Sequence, residues 1–264
     1  MSASHLPSGI CRIAGKVAMV TGGASGLGRG VAERFVRSGA KVLIADLPSS
    51  NAPELVASLG ANNAVFVPTD VTSNEEVRNA LETCKIKFKR LDIVANCAAV
   101  RGLCYTIDES QPHDYDVFKR VVDVSLSGVF NVVRLSSALM NENDPDGDYQ
   151  KGIFINALSE AAIQGRSGQV AMAAAEGGVA AMTLLLARDL ATIGVRVVSI
   201  APEILESLED EDEDTLPLWE TRSEAFARLA ENIVENPMIN GTVIKMRKGT
   251  TALEHWEAMR TESG

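Results

Sequence analysis

A short run of β-branched residues followed by a longer amphipathic stretch recurs along this chain, and few folds admit that rhythm. "KVAMVTGG" leads into "LGRGVAERFVRSG", "KVLIADL" into "APELVASLG" and "NAVFVPTDV" into "NEEVRNALETCKIKF", after which "LDIVANCA" begins another strand. Beyond the insert "RGLCYTIDESQPHD" come a long helix through "YDVFKRVVDVSLSGVFNVVRLSSALM", a strand "GIFINAL", a helix ending in "ARDLAT", a strand "VRVVSIAP" and a last strand "GTVIKM". Parallel strands need crossover connections, and helices of this length supply them on both faces of a sheet. The expected fold class is therefore α/β, a doubly wound parallel sheet in a single domain, with "NENDPDGDY" as a surface loop.

The charge of the chain is concentrated in one place. Of 35 acidic residues, eight fall in "PEILESLEDEDED" between Glu203 and Asp214, and the remaining 27 nearly balance 25 bases. No basic cluster has the density that phosphate neutralisation requires, which argues against a nucleic-acid face. Cys11, Cys84, Cys97 and Cys104 show no CxxC spacing and His5, His113 and His255 lie far apart, so free thiols and no structural metal are expected. No apolar run is read as long enough to span a bilayer, and the opening "MSASHLPSGICRIAG" lacks a secretory hydrophobic region.

The first strand-to-helix turn carries the first chemistry. In "VTGGASGLG", Gly22, Gly26 and Gly28 allow a tight turn and close approach of a pyrophosphate to a helix N-terminus, where unpaired N–H groups favour anions. Asp46 ends the second strand, where a carboxylate can bind an adenosine ribose and repel a 2′-phosphate, so NAD(H) is preferred over its phosphorylated form. The competing reading of Asp46 is a turn or cap residue before Pro48.

The Thr21 to Gly28 turn, Asp70 in "PTDVT", "ANCAA" at 95 to 99, Ser159 and "IAP" at 200 to 202 follow the order seen in short-chain dehydrogenases/reductases, which the chain resembles. Within that family, "VAMVTGGASGLG", "FNVVRLSS", "MTLLLARDLATIGVRV" and "ENPMINGTVI" are similar to the mitochondrial type-2 3-hydroxyacyl-CoA dehydrogenases, from about Gly15 to Met246. The resemblance implies a Rossmann-type fold, cofactor contacts at Ser25, Leu27, Asp46, Asp70, Val71 and Cys97, and a strand-supporting role for Asn96. It implies three segments: an extension over 1–14, the domain over 15–246 with an acidic loop at 203–215, and a divergent tail over 247–264. It also implies a matrix location in mitochondria.

The same resemblance makes the catalytic positions anomalous. The family uses a tyrosine as proton donor or acceptor, a lysine four residues on, a serine thirteen residues before the tyrosine, and an asparagine on the preceding long helix. Here the serine is kept as Ser159, but the asparagine position holds Ser125, the tyrosine position Met172 and the lysine position Glu176. A thioether has no exchangeable proton, and a carboxylate reverses the charge that would stabilise a phenolate. Glu203 stands where the family usually has glycine, and Ala99 at another such site. Tyr115 and Lys119 have the required spacing but align with a surface turn, while Glu160, Glu176 or Glu203 could serve as a replacement base.

The substrate side departs as well. The family's lid segment after "AP" is shortened and replaced by "EDEDED", whose like charges suit solvation or a basic partner surface rather than closure over an acyl chain. The two long helices that form a subunit interface in the family keep wide apolar faces, with Gly177 and Gly178 permitting close approach. Trp219 and Trp256 are further candidates for partner contact. The sequence thus supports an inactive family member acting as a structural or accessory subunit of an oligomer or larger complex, with NAD(H) retained as a structural ligand. The alternatives are an active NAD-dependent hydroxyacyl or hydroxysteroid dehydrogenase with a rebuilt proton relay, and a dinucleotide-binding redox sensor.

Overall fold

The computed structural model describes residues 13–100, 104–108, 110–159, 161–165, 167–202 and 222–247. The expectations for Glu160, Glu203, the acidic tract, both tryptophans, the N-terminal extension up to residue 12 and the tail beyond Arg247 lie outside those residues.

Strands β1 (Val17–Thr21), β2 (Lys41–Asp46), β3 (Ala64–Pro68) and β4 (Ile93–Asn96) come first, and the short β5 (Ile107–Asp108) and β6 (Gln111–Pro112) pair only with each other. Then follow β7 (Gly152–Ala157), β8 (Val195–Pro202) and β9 (Val243–Met246). Seven of them form one parallel sheet in the order β3-β2-β1-β4-β7-β8-β9. The direction of winding reverses between β1 and β4, so β2 and β3 build outward on one side and the later strands on the other. The period-2 alternation of side chains explains why both faces are covered. Val17, Met19, Leu43, Val94, Phe154 and Val197 enter one core, and Ala18, Val20, Ile44, Ile93, Ile155 and Val198 enter the other.

Helices α1 (Gly26–Arg37), α2 (Ala52–Leu59), α3 (Asn74–Phe88), α4 (Tyr115–Val122), α5 (Val129–Asn141), the short α6 (Ala161–Gln164), α7 (Val170–Leu190) and α8 (Arg222–Glu235) connect and cover the strands. The first core is closed by α3, α5 and α7, through residues such as Leu81, Val132, Met140 and Val179. The second is closed by α1, α2 and α8, through Phe35, Leu55, Phe226 and Ile233. Serine capping starts α3, where the Ser73 hydroxyl accepts from the Glu76 amide at 3.3 Å. The Arg34 guanidinium pairs with Glu231 and ties α1 to α8.

Three features differ from the sequence expectation. The insert before the long helix contains the small antiparallel hairpin of β5 and β6. The long helix is divided into α4 and α5 by a π-helical segment, Asp123–Gly128. Wide turns of this kind arise from one extra residue and re-aim the side chains that follow. By length and composition alone, Tyr115–Asn141 and Val170–Ile193 could each cross a membrane, which corrects the reading that no apolar run is long enough. Both are apolar because they cover the sheet, with α7 burying Ala171, Met172, Ala175, Val179 and Leu186.

The close approach allowed by Gly178 is used inside the chain. A Cβ at that position would stand 2.9 Å from Leu126 Cδ1 in the π-helical segment. Gly178 thus faces the Leu126 side chain within the same chain.

Candidate functional site

A cleft of about 790 Å³ runs across the carboxyl ends of the strands, where the winding reverses. Its wall begins at Asp46 on β2, passes Gly22, Ser25, Gly26 and Leu27 at the start of α1, and continues through Asp70, Val71 and Cys97. It ends at Leu158, Ser159, Met172 and Glu176. Gly28 and Asn96 do not line it.

The glycine turn fits an anion. Gly26 has φ of +49°, and nothing lies within 4 Å of where its Cβ would be, so the backbone is bare at the helix start. The N-cap Ser25 makes no side-chain hydrogen bond to the first turn, which leaves those amides to a ligand. Gly28 serves packing instead. Its Cβ would meet the Gly22 carbonyl oxygen at 2.2 Å, so only glycine lets α1 pack on its own turn.

Asp46 holds this turn as well as facing the cleft. Its Oδ2 accepts from the Ala24 amide at 2.9 Å and its Oδ1 from the Leu47 amide at 2.8 Å. Both the ribose-binding reading and the turn reading thus have a physical basis, since each carboxylate oxygen retains a further lone pair. The Asp70 carboxylate accepts from the Thr72 amide and hydroxyl, at 2.9 and 2.8 Å, and shapes the loop beside Val71. Thr21 Oγ1 accepts from the amides of Cys97 and Ala98, at 3.2 and 3.3 Å, joining the ends of β1 and β4 under the cleft. Burial pushes the Cys97 thiol up to about 12, so it remains neutral at ordinary pH.

Asn96, for which the resemblance implies a strand-supporting role, lies beneath the cleft floor, only 2% exposed. Its amide donates to Asn156 Oδ1 at 2.9 Å; Asn156 donates to Ser199 Oγ at 3.4 Å, and Ser199 is 2.7 Å from Thr183 Oγ1. This polar row crosses β4, β7 and β8 and ends on α7. It joins the three strands to one another and to α7, and was not foreseen as a continuous row.

The far end of the cleft is where the catalytic positions meet. Met172 and Glu176, one helical turn apart, both lie on the buried face of α7, at 6% and 7% exposure. Met172 packs in a small apolar cluster with Val121, Ala171 and Ala175, flanked by Val100, Phe118 and Leu126. Glu176 turns to Ser159: its Oε2 accepts from the Ser159 amide at 2.7 Å and from the Ser159 hydroxyl at 2.6 Å. The residue in the lysine position therefore engages the surviving serine directly. Sequence spacing placed these residues near one another but gave no sign of this bond.

Ser125 sits in the π-helical segment, 5% exposed, with its hydroxyl accepting from the Val100 amide at 3.2 Å. It is taken up in holding the loop after β4 and does not line the cleft. Tyr115 is 71% exposed and stacks on Phe118, while Lys119 is on the cleft rim, so the pair with the right spacing does not converge. Among the described residues no tyrosine lines the cleft, and no group of three or more His, Cys, Asp or Glu side chains is placed to hold a metal.

Comparison with known proteins agrees with this geometry. The family model described as short chain dehydrogenase matches residues 16–214. The chain is 44% identical over 250 residues to the 3-hydroxyacyl-CoA dehydrogenase type-2 of Homo sapiens, spanning 89% of this chain and 95% of that protein. The protein of the same name from Drosophila melanogaster is 42% identical over 243 residues, spanning 87% and 95%. Among solved structures, 3-hydroxyacyl-CoA dehydrogenase type-2 from Mycobacterium avium superposes with a TM-score of 0.80 at 32% identity, covering 89% of this chain and 97% of that one. With its sheet order, its glycine turn and these matches taken together, the chain belongs to the short-chain dehydrogenase family.

Proposed function

We propose that this protein binds NAD(H) in the described cleft without carrying out the family's tyrosine-dependent hydride transfer, and serves as a structural or accessory subunit. The observation that carries the reading is the Ser159–Glu176 bond at 2.6 Å, with Met172 one turn earlier on the same helix. A proton donor and a cation are both missing from the positions where they would act together, and general acid–base catalysis typically contributes about 10²–10⁴ in rate. The intact half of the cleft supports the dinucleotide: Gly26 and the first turn of α1 would hold the pyrophosphate, and Asp46 the adenosine ribose. When bound, the nicotinamide could accept or release a hydride. The residues beside it would supply positioning but not the family's proton relay.

An assembly role draws on the apolar side chains left on the two long helices. Phe130 on α5 and Leu184 and Leu185 on α7 are 44%, 45% and 58% exposed. Such surface is costly on an isolated chain and suits burial against another subunit. A mitochondrial matrix location is part of the same proposal and rests on family resemblance alone.

A second reading is favoured by the relatives named as dehydrogenases and by the same short bond. The chain would then be an active NAD-dependent 3-hydroxyacyl-CoA or hydroxysteroid dehydrogenase. The substrate hydroxyl would pass its proton to Ser159 Oγ, whose own proton would move to Glu176 while hydride leaves the carbinol carbon for bound NAD⁺. The test is NAD⁺-dependent oxidation of 3-hydroxyacyl-CoA and hydroxysteroid substrates by the purified full-length chain. The first reading expects no turnover above background. Turnover that disappears in Glu176→Gln would establish the second.

A further inference from the structure

We propose that a recess at the opposite end of the sheet from the cleft is the seat of this chain's own first twelve residues, with Arg12 on its acidic rim. The recess, about 490 Å³, opens where β1, β4, β7 and β8 begin. Lys16, Asp92, Ile153 and Arg196 line it at the strand starts, and Val234 and Pro237 line it from α8 and the turn that follows.

Its walls are held rigidly. Arg196 is 6% exposed; its Nε donates to Gln150 Oε1 at 2.6 Å, and its Nη1 and Nη2 donate to the carbonyls of Ile233, Val234, Asn236 and Ile239. That one side chain joins the loop before β7 to the turn after α8. The same loop holds Tyr149 at φ of +60°, which is rare for a bulky residue. Gly194 backs it, since a Cβ there would stand 2.6 Å from the Tyr149 carbonyl oxygen. Tyr149 stands between the lining residues Asp148 and Gln150, and Met238 follows Pro237. At 83% and 88% they are the most exposed large hydrophobic side chains among the described residues. A strained loop that presents apolar surface beside a recess calls for a cover.

The chain brings its own candidate to that edge. Ile13, the first described residue, is fully buried, and its carbonyl accepts from the Lys16 amide at 3.0 Å. The chain therefore enters the fold through a turn that ends on a lining residue. Arg12 is one Cα step of about 3.8 Å from Ile13, and twelve residues span up to about 40 Å when extended, enough to cross the recess. The segment "MSASHLPSGICR" carries His5 and Arg12 and no acid, with Leu6 and Ile10 as apolar anchors. The rim supplies the complement in Asp146 and Asp148, beside the exposed Tyr149 and Met238. Deeper in, Asp92 is already answered by Arg90 at 2.6 Å. Asp146 uses Oδ1 on the amides of Asp148 and Gln150, whereas its Oδ2 stands 3.6 Å from Lys16, a loose pairing open to a second cation.

The test is amide hydrogen exchange and peroxide oxidation of Met238, both read by mass spectrometry, on the full-length protein, on Arg12→Glu, on Arg12→Lys and on the chain lacking residues 1–12. Exchange over residues 146–151 and 236–241, and oxidation of Met238, should each rise about fivefold or more in Arg12→Glu and in the shortened chain, and stay near the unaltered rates in Arg12→Lys. Unchanged rates in Arg12→Glu overturn the inference. So does protection in the unaltered protein that disappears on dilution, because the arm would then sit on a second copy. Should the shortened chain fail to fold, the contrast between Arg12→Glu and Arg12→Lys decides.

Discussion

Ser159 donates its backbone amide and its hydroxyl to a single oxygen of Glu176, at 2.7 and 2.6 Å, across seventeen residues of sequence. The bond ties the loop after β7 to the buried face of α7. One residue thereby removes a cation from the site and supplies a structural clamp.

Removing that clamp should be felt in stability. Glu176→Ala leaves the buried Ser159 amide and hydroxyl without this acceptor, a loss of about 1–3 kcal/mol. Urea unfolding should show a lower midpoint with an unchanged slope. An unchanged midpoint would mean that the contact is not maintained in solution.

Restoring the proton donor alone should not restore chemistry. Met172→Tyr places a phenol beside a carboxylate that disfavours its ionised form, so turnover should remain at background. Adding Glu176→Lys and Ser125→Asn should raise it by about 10² or more over the single variant. Steady-state NADH production distinguishes the two, and full activity in Met172→Tyr alone would refute the role given to the charge.

Asp46 should couple ligand binding to the glycine turn. In Asp46→Ala the Ala24 amide loses its 2.9 Å acceptor and the adenosine ribose loses a partner. NAD⁺ affinity is expected to fall by roughly tenfold, with a smaller loss for its 2′-phosphorylated analogue because the repulsion is also gone. Titration of both nucleotides checks the ratio.

Two thiols set an alkaline limit. Cys84 and Cys97 are each pushed up to about 12, Cys97 by burial and Cys84 by burial and then by Asp92. In the unfolded chain they ionise near the ordinary value of about 8.5. Their contribution is therefore complete below that value and is lost as pH rises toward 12, because the unfolded state releases its protons first. Unfolding midpoints should fall through this window, and less so in Cys84→Ala. Alkylation at pH 8, read by mass spectrometry, should spare the buried Cys84 until the protein is unfolded.

The strand-helix rhythm was legible because alternation at period 2 assigns Val17 and Met19 to one core and Ala18 and Val20 to the other. The glycine turn and Asp46 were legible because the backbone geometry they serve restricts the residues that can stand there. The π-helical turn was hidden, since one extra residue in an apolar helix leaves the pattern of "VVDVSLSG" unchanged. The Ser159–Glu176 bond was hidden for another reason: residue spacing gives proximity, whereas the direction of a carboxylate depends on which neighbours are already satisfied. The row through Asn96 carried a readable signal, a polar residue closing each of the otherwise apolar runs "IVAN" and "GIFIN".

That row also bears on how the chain finds its native alignment. Asn96 is directly opposite Asn156, and Asn156 opposite Ser199, so all three stand at one level of the sheet. Valine and isoleucine runs can slide past one another with little loss of apolar contact, but a slip of one residue would point Asn156 into hydrocarbon. These side chains therefore act as a key against misaligned strands, and mutating them to apolar residues would cost the protein uniqueness before it cost it strength.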